Sequence, residues 1–170
     1  MEFKEVMLSR KSCREYTDRP VETEKLEAVV TAASMAPLGM PRMGKPHLTV
    51  ITNKELLKEL GALAGEERGD IIYGAPALII VSCPVSAPGL AEMNAACVVE
   101  LMALAATDQG LGNIYLYGVT AMLQKKEDLK QKLGIPAEYI PLSALALGYG
   151  TEPVSVCKAF EKTLDENIIA

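Results

Sequence analysis

Between Leu90 and Thr107 the chain carries only two charges, Glu92 and Glu100. Leu90, Met93, Cys97, Leu101 and Leu104 recur at helical spacing along one side, and Val98, Val99 and Met102 along another. A helix that is apolar nearly all round has no side to give to water and must be covered on all sides. The pattern predicts a helix over residues 90–108, stopped by Gly110-Leu111-Gly112. In a chain of 170 residues that cover comes either from a central place in a monomer or from a sheet on one side and a second subunit on the other.

The remaining elements alternate irregularly. Phe3, Val6, Met7 and Arg10 predict a short helix over 2–9, and Leu26, Val29, Val30 and Ala33 a longer one over 22–36, stopped by Pro37. Residues 37–46 hold Pro37, Pro41, Pro46, Gly39 and Gly44. They predict a stiff loop whose backbone, bare at the glycines, can approach a flat ligand. Strands are expected over 47–52, 76–83, 113–117 and 142–148, the second so continuously apolar that both of its faces must be covered. Helices are expected over 54–63 and 125–133, the latter closed by Gly134, with a charged surface loop over 65–70. The tail from 154 carries Phe160, Leu164 and Ile168 at a spacing that allows a helix. The order predicts a single α+β or mixed α/β domain over 1–170.

With 17 basic against 22 acidic residues the net charge is −5, which argues against nucleic acid or an anionic membrane as partner. Glu2, Lys4 and Glu5 break any apolar leader at the N-terminus. No apolar run is expected to reach the ~20 residues of a membrane helix, so a cytoplasmic location is the default. Cys13, Cys83, Cys97 and Cys157 form no Cys-x-x-Cys pair, and His47 is the only histidine. Reduced, mostly core thiols and no metal site are expected. His47 has no acid, thiol or metal partner nearby in sequence and reads as structural.

Against that acidic background stands one basic cluster, Arg10-Lys11-Ser12-Cys13-Arg14. In extended backbone Arg10, Ser12 and Arg14 would point to one side. Guanidinium forks match phosphate oxygens, and serine adds a short hydroxyl contact. The cluster is either a solvated basic turn or a site for a small anion.

The order Arg10-x-Ser12-x-Arg14-x-Tyr16, followed by Pro20-Val21 and a helix, resembles the N-terminal signature of the nitroreductase family, which binds flavin mononucleotide (FMN). Four further stretches follow in the family's order. They are Ala36-Pro37-Leu38-Gly39; Gly74-Ala75-Pro76-Ala77-Leu78; the Ala-rich helix end over 105–112; and Leu133-Gly134-Ile135-Pro136, Tyr139, Pro141 and Ala144-Leu145-Ala146-Leu147-Gly148-Tyr149. The resemblance covers nearly the whole chain. It implies an α+β nitroreductase-like fold, a central, mostly antiparallel sheet flanked by helices, with FMN at a homodimer interface.

It also implies roles. Arg10 and Ser12 would hold the FMN phosphate and ribityl chain, Lys11 would be a further cofactor-binding residue, and Arg14 would sit near the N1/O2 edge of the flavin. Pro37, Leu38 and Gly39 would pack on the ring system from the partner subunit. Tyr117 and Gly118 match the place where the backbone meets the N5/O4 edge, and Lys158 is the candidate for a further phosphate cation. The implied activity is ping-pong transfer of two electrons from NADH or NADPH, through flavin N5, to a nitroaromatic or quinone-type acceptor, with no catalytic side chain required. Alternatives within reach of the same resemblance are a flavin-binding protein without turnover and a flavin-destructase-type or dehalogenase-type enzyme. Family members commonly carry Asn and then Gln-Pro-Trp after the turn. Here Met40-Pro41-Arg42-Met43-Gly44-Lys45-Pro46-His47 stands instead, and the C-terminus is poor in arginine. Both departures predict FMN affinity below the family norm. Met35, Met40 and Met43 could form a soft substrate wall, and Tyr115 and Tyr117 could stack on substrate or flavin.

Overall fold

Ala77, Leu78, Ile79, Ile80, Val81 and Ser82 show no exposed surface, and Cys83 is nearly as buried. Only a strand covered on both faces does this. The computed structural model describes residues 1–40, 44–84, 89–155 and 163–169. Its helices are α1 (Phe3–Ser9), α2 (Thr23–Ala33), α3 (Lys54–Gly61), α4 (Leu90–Asp108), α5 (Gly118–Leu123) and α6 (Glu127–Lys132). Its strands are β1 (His47–Ile51), β2 (Ala77–Pro84), β3 (Gly112–Leu116) and β4 (Tyr139–Gly148). They form one sheet in the order β1-β2-β4-β3, with every pairing antiparallel.

Register assigns the residues to two cores. Ile79 pairs with Leu145 and Ala77 with Leu147, and this face packs on α2 and α4 through Val29, Val98, Val99 and Met102. One residue on, Leu78 pairs with Ala146, which pairs in turn with Ile114, and Ile80 with Ala144, then Leu116. That face meets α3, α5 and α6 through Leu57, Leu60, Leu123 and Leu129. The small alanines of β4 between larger neighbours let the second helical layer approach. Each fully buried Leu or Ile contributes about 1.5–3 kcal/mol relative to exposure, so the pleat that sorts them also fixes the register.

Local signals set the helix ends. The Asn53 side chain accepts from the Leu56 amide at 3.0 Å and starts α3. Gly134 turns left-handed at φ +68 after α6. Lys130, buried in α6, is neutralised by Glu127 at 2.9 Å.

Four expectations need correction. The short helix α5 follows β3 directly and was not expected. It is held by the Thr120 hydroxyl, placed to donate to the carbonyls of Tyr117 (2.8 Å) and Leu142 (3.0 Å), a tertiary contact with no local sequence signature. β4 begins at Tyr139 and runs through Pro141. Its partner β3 reaches only as far as Ala144, and β2 shifts register between Val81 and Ser82, so the proline sits at an irregular edge that tolerates it. Leu164 lies in a bend and Ile168 in irregular chain, both exposed, rather than in a helix, while Phe160 and Cys157 fall outside the described residues.

The fourth is the expectation of no membrane-length apolar helix, and it concerns α4. Within one chain α4 is not covered on all sides. Ala95, Val98, Val99, Met102, Ala103 and Ala106 are buried, but Leu90, Cys97, Leu101 and Leu104 are only half-buried and Met93 is 66% exposed. Phe3 and Met7 of α1 are likewise exposed. At 19 residues with a mean hydropathy of 1.4, α4 is also long and apolar enough to cross a membrane by length and composition, contrary to expectation. Its small-residue side packs on the sheet instead. Of the remaining cysteines, Cys83 is buried and Cys13 and Cys97 are half-buried, all three free. His47 packs edge-on against Tyr139, with ring centroids 6.1 Å apart, a structural contact as expected.

Candidate functional site

The basic cluster leaves α1 as a strap laid across the ends of β3 and β4. Arg10 caps α1 with extended dihedrals (φ −64, ψ 113). Ser12 then pairs in parallel with Asn113, and Tyr16 pairs antiparallel with Gly150. The Cys13 amide donates to the Asn113 carbonyl at 2.9 Å, the Thr17 amide to Tyr149 at 2.8 Å, and the Thr151 amide to Glu15 at 3.1 Å. The extended backbone read from the sequence is present. Cys13 is a packing residue within it. A Cβ on Gly112 would lie 2.8 Å from its sulfur and one on Gly150 3.1 Å, so both glycines make room for the thiol.

Lys11, Ser12, Cys13, Arg14, Glu15, Thr151 and Glu152 line an open groove of about 260 Å³. Lys11 Nζ lies 3.0 Å from Glu152 Oε2, and the Thr151 hydroxyl donates to Glu15 Oε2 at 3.3 Å. Two cations thus face two carboxylates. Of the alternating trio, Ser12 and Arg14 share this groove, while Arg10, half-buried at the helix end, does not line it. Thr151 and Glu152 escaped the sequence reading because nothing local links them to a cluster 140 residues away. The Gly148-Tyr149-Gly150 run that delivers them was the available signal.

Tyr16 staples the strap down. Its hydroxyl lies 3.1 Å from the Cys13 carbonyl and 3.3 Å from that of Ala146. Burial pushes its pKa well above the ordinary phenol value, so it stays a neutral donor. Beside it, Arg14 Cζ sits 6.0 Å from the centroid of the Tyr73 ring.

The Pro37–Gly39 turn is mounted elsewhere, on α4. The Gly39 amide donates to Asn94 Oδ1 at 2.8 Å, and Asn94 Nδ2 donates back to the Gly39 carbonyl at 3.1 Å. A Cβ at Gly39 would lie 2.7 Å from Leu90 Cδ1, so a side chain here would push the end of Leu90 aside. Leu38 is half-buried and, with Ala33, Ser34, Lys45, Pro46, Leu48 and Val98, lines a second concavity of about 230 Å³. Pro37 is exposed beside it, as is Met35. Asn94 was missed, although one amide in an apolar helix was a visible signal.

Tyr117 and Gly118 form a third location, where β3 turns into α5. Tyr117 is 66% exposed, and Gly118 has open space where a side chain would stand. Tyr115 is committed to the sheet, with its hydroxyl 2.7 Å from Ser143 Oγ. Ser12 and Tyr117 are separated by the length of β3, on the order of 13 Å at strand spacing. The groove and the second concavity share no lining residue, and Tyr117 and Gly118 line neither. Lys158, Pro41, Arg42 and Met43 lie outside the described residues.

Comparison with known proteins agrees with this architecture. The sequence profile of the Nitroreductase family matches residues 7–68 and 63–149. A Methanothermobacter thermautotrophicus protein, provisionally named an NADH dehydrogenase/NAD(P)H nitroreductase, is 30% identical over 156 residues, 89% of this chain and 79% of its own. A nitroreductase from Bacteroides fragilis, solved with bound FMN, superimposes with a TM-score of 0.82 at 29% identity, covering 100% of this chain and 98% of that one. One from Desulfitobacterium hafniense, also with bound FMN, gives a TM-score of 0.77 at 31% identity over 98% of this chain and 100% of that one. The chain therefore belongs to the nitroreductase family.

Proposed function

We propose that this protein is an FMN-dependent oxidoreductase, acting as a homodimer, that passes two electrons from NADH or NADPH to a small nitroaromatic or quinone-type acceptor. The observation that carries the reading is the groove where Lys11, Ser12 and Arg14 meet on a strap fixed to β3, in a fold shared with FMN-bound structures.

The donor set fits a phosphate ester. An ammonium, a hydroxyl and a guanidinium line one open groove, and Lys11 already holds an anionic oxygen, that of Glu152, at 3.0 Å. Bound FMN would supply the two-electron chemistry. Lys11 and Ser12 would hold its phosphate, with Arg10 on the flank and Lys158 as a further cation. Arg14 would keep a fixed positive charge beside the part of the ring system that gains negative charge on reduction. Tyr117 and Gly118 would present backbone to the far edge. Pro37, Leu38 and Gly39, rigidly held by Asn94, would reach the ring system of the partner's site. The outward side of α4, with Met93, Leu101 and Leu104, supports that dimer, since a contiguous apolar face in water marks an interaction surface.

Among the described residues, the two side chains best suited to general acid chemistry are committed elsewhere. Tyr16 is neutral and bonded to carbonyls, and His47 packs on Tyr139. The groove is open, so water can deliver protons. The whole chain would act as one domain in the cytoplasm. Steady-state oxidation of NADH or NADPH with a quinone tests the reading, and absence of turnover in flavin-loaded protein would refute it. Glu15 and Glu152 in the groove favour one alternative, a weak flavin binder without turnover, which the same assay separates.

A further inference from the structure

Tyr73 has φ +60, a left-handed backbone that bulky aromatic residues avoid. The surrounding turn imposes it. Asp70 Oδ1 accepts from the Ile72 amide at 2.9 Å and Oδ2 from the Gly74 amide at 2.6 Å. The Ile71 amide donates to the Gly61 carbonyl at 3.0 Å, and the Tyr73 amide to Asp70 at 3.3 Å. Ile72 and Ala75, on either side, are 2% and 3% exposed and anchor the turn in the core. Glycine would take this position without strain, and the core makes little use of the ring, which is 37% exposed. What the ring does meet is Arg14, whose Cζ lies 6.0 Å from its centroid, at the outer reach of a cation–π contact. Among the described residues no carboxylate forms an ion pair with Arg14, whereas its neighbour Lys11 is tied to Glu152.

Strain that packing does not explain, at a residue touching a site, points to a role in that site. We propose that Tyr73 is a positioning residue. Its ring braces the Arg14 guanidinium at the groove, and the Asp70 turn holds the ring there at a conformational cost. This rests on the FMN reading above. The role is to keep the cation fixed toward the flavin and so to favour flavin reduction. A free arginine would swing into solvent and lose that effect.

The test is the midpoint potential of bound FMN in the full chain, with thermal melting alongside. Arg14→Ala should shift the two-electron reduction equilibrium about tenfold toward oxidised flavin, which is ~30 mV. Tyr73→Gly suits φ +60 and should melt no lower than wild type. It should still shift the equilibrium at least about threefold in the same direction, ~14 mV. Tyr73→Phe keeps the ring and should match wild type. The double variant Arg14→Ala/Tyr73→Gly should match Arg14→Ala alone. An unchanged potential in Tyr73→Gly, or additive shifts in the double variant, would overturn the bracing role while leaving FMN binding intact. A wild-type chain that takes up no FMN would instead overturn the cofactor reading, and the bracing role with it.

Discussion

Lys11 and Glu152, 141 residues apart in the chain, meet at 3.0 Å across the mouth of the groove. The ammonium of a candidate phosphate site is thus already occupied by the protein's own carboxylate. An incoming phosphate must displace Glu152 and tolerate its charge. Glu152→Gln should therefore tighten FMN binding by about 1.4- to fivefold, in line with the ~0.2–1 kcal/mol of an exposed pair. The gain should shrink as salt is raised. Fluorescence titration of the apoprotein with FMN checks both; equal affinities in wild type and variant would contradict it.

Asn94 makes two hydrogen bonds to Gly39, the main polar attachment of the Pro37–Gly39 turn. Asn94→Ala should cost about 1–2 kcal/mol, read as a lower urea midpoint with an unchanged slope. If the turn serves the partner's site, FMN affinity should fall as well.

The outward side of α4 should be an interface. Met93→Glu puts a charge on it without touching the sheet-facing core. Light scattering should report a dimer for wild type and a monomer for the variant, and the monomer should lose FMN. A wild-type monomer at micromolar concentration would contradict the dimer.

Glu22 and Tyr16 each link stability to pH. The Glu22 carboxyl is pulled down to about 2, first by the Tyr149 hydroxyl at 2.7 Å, then by its own backbone and by Arg19 at 2.6 Å. The unfolded chain takes up that proton first, near pH 4.5. The contribution of Glu22 is thus present above pH 4.5 and is lost as pH falls toward 2. Glu22→Gln should flatten that part of an acid unfolding profile. Tyr16 works in the opposite direction. Its phenol is raised by burial, so the unfolded state ionises first as pH rises past ~10 and stability falls there. Tyr16→Phe should remove that alkaline loss, while at neutral pH it costs about 1–2 kcal/mol for the carbonyls left without their donor.

Much of this was legible in the chain itself. The continuous apolar run of β2 dictated burial on both faces, and period-3.6 stripes located α2, α3 and α4, because these patterns depend only on local residues. The Arg10–Arg14 cluster stood out in an acidic chain, and Lys11, Ser12 and Arg14 do share one groove. What was not legible came from tertiary contact. α5 exists because Thr120 reaches Leu142. Arg10 leaves the groove because it ends a helix. Glu152 enters the groove because β4 delivers it there. The one-sided exposure of α4 could not be read from its composition, which is apolar all round; only packing shows which side the sheet takes. Tyr73 carried no sequence signal, since its strain is a property of the turn that Asp70 builds.

The most direct test of the account is the visible absorbance spectrum of the purified chain after incubation with FMN and removal of the excess, with the released flavin quantified. The account predicts a yellow protein holding about one FMN per chain, as expected where each subunit brings one phosphate groove. A colourless protein that takes up no added FMN would contradict it.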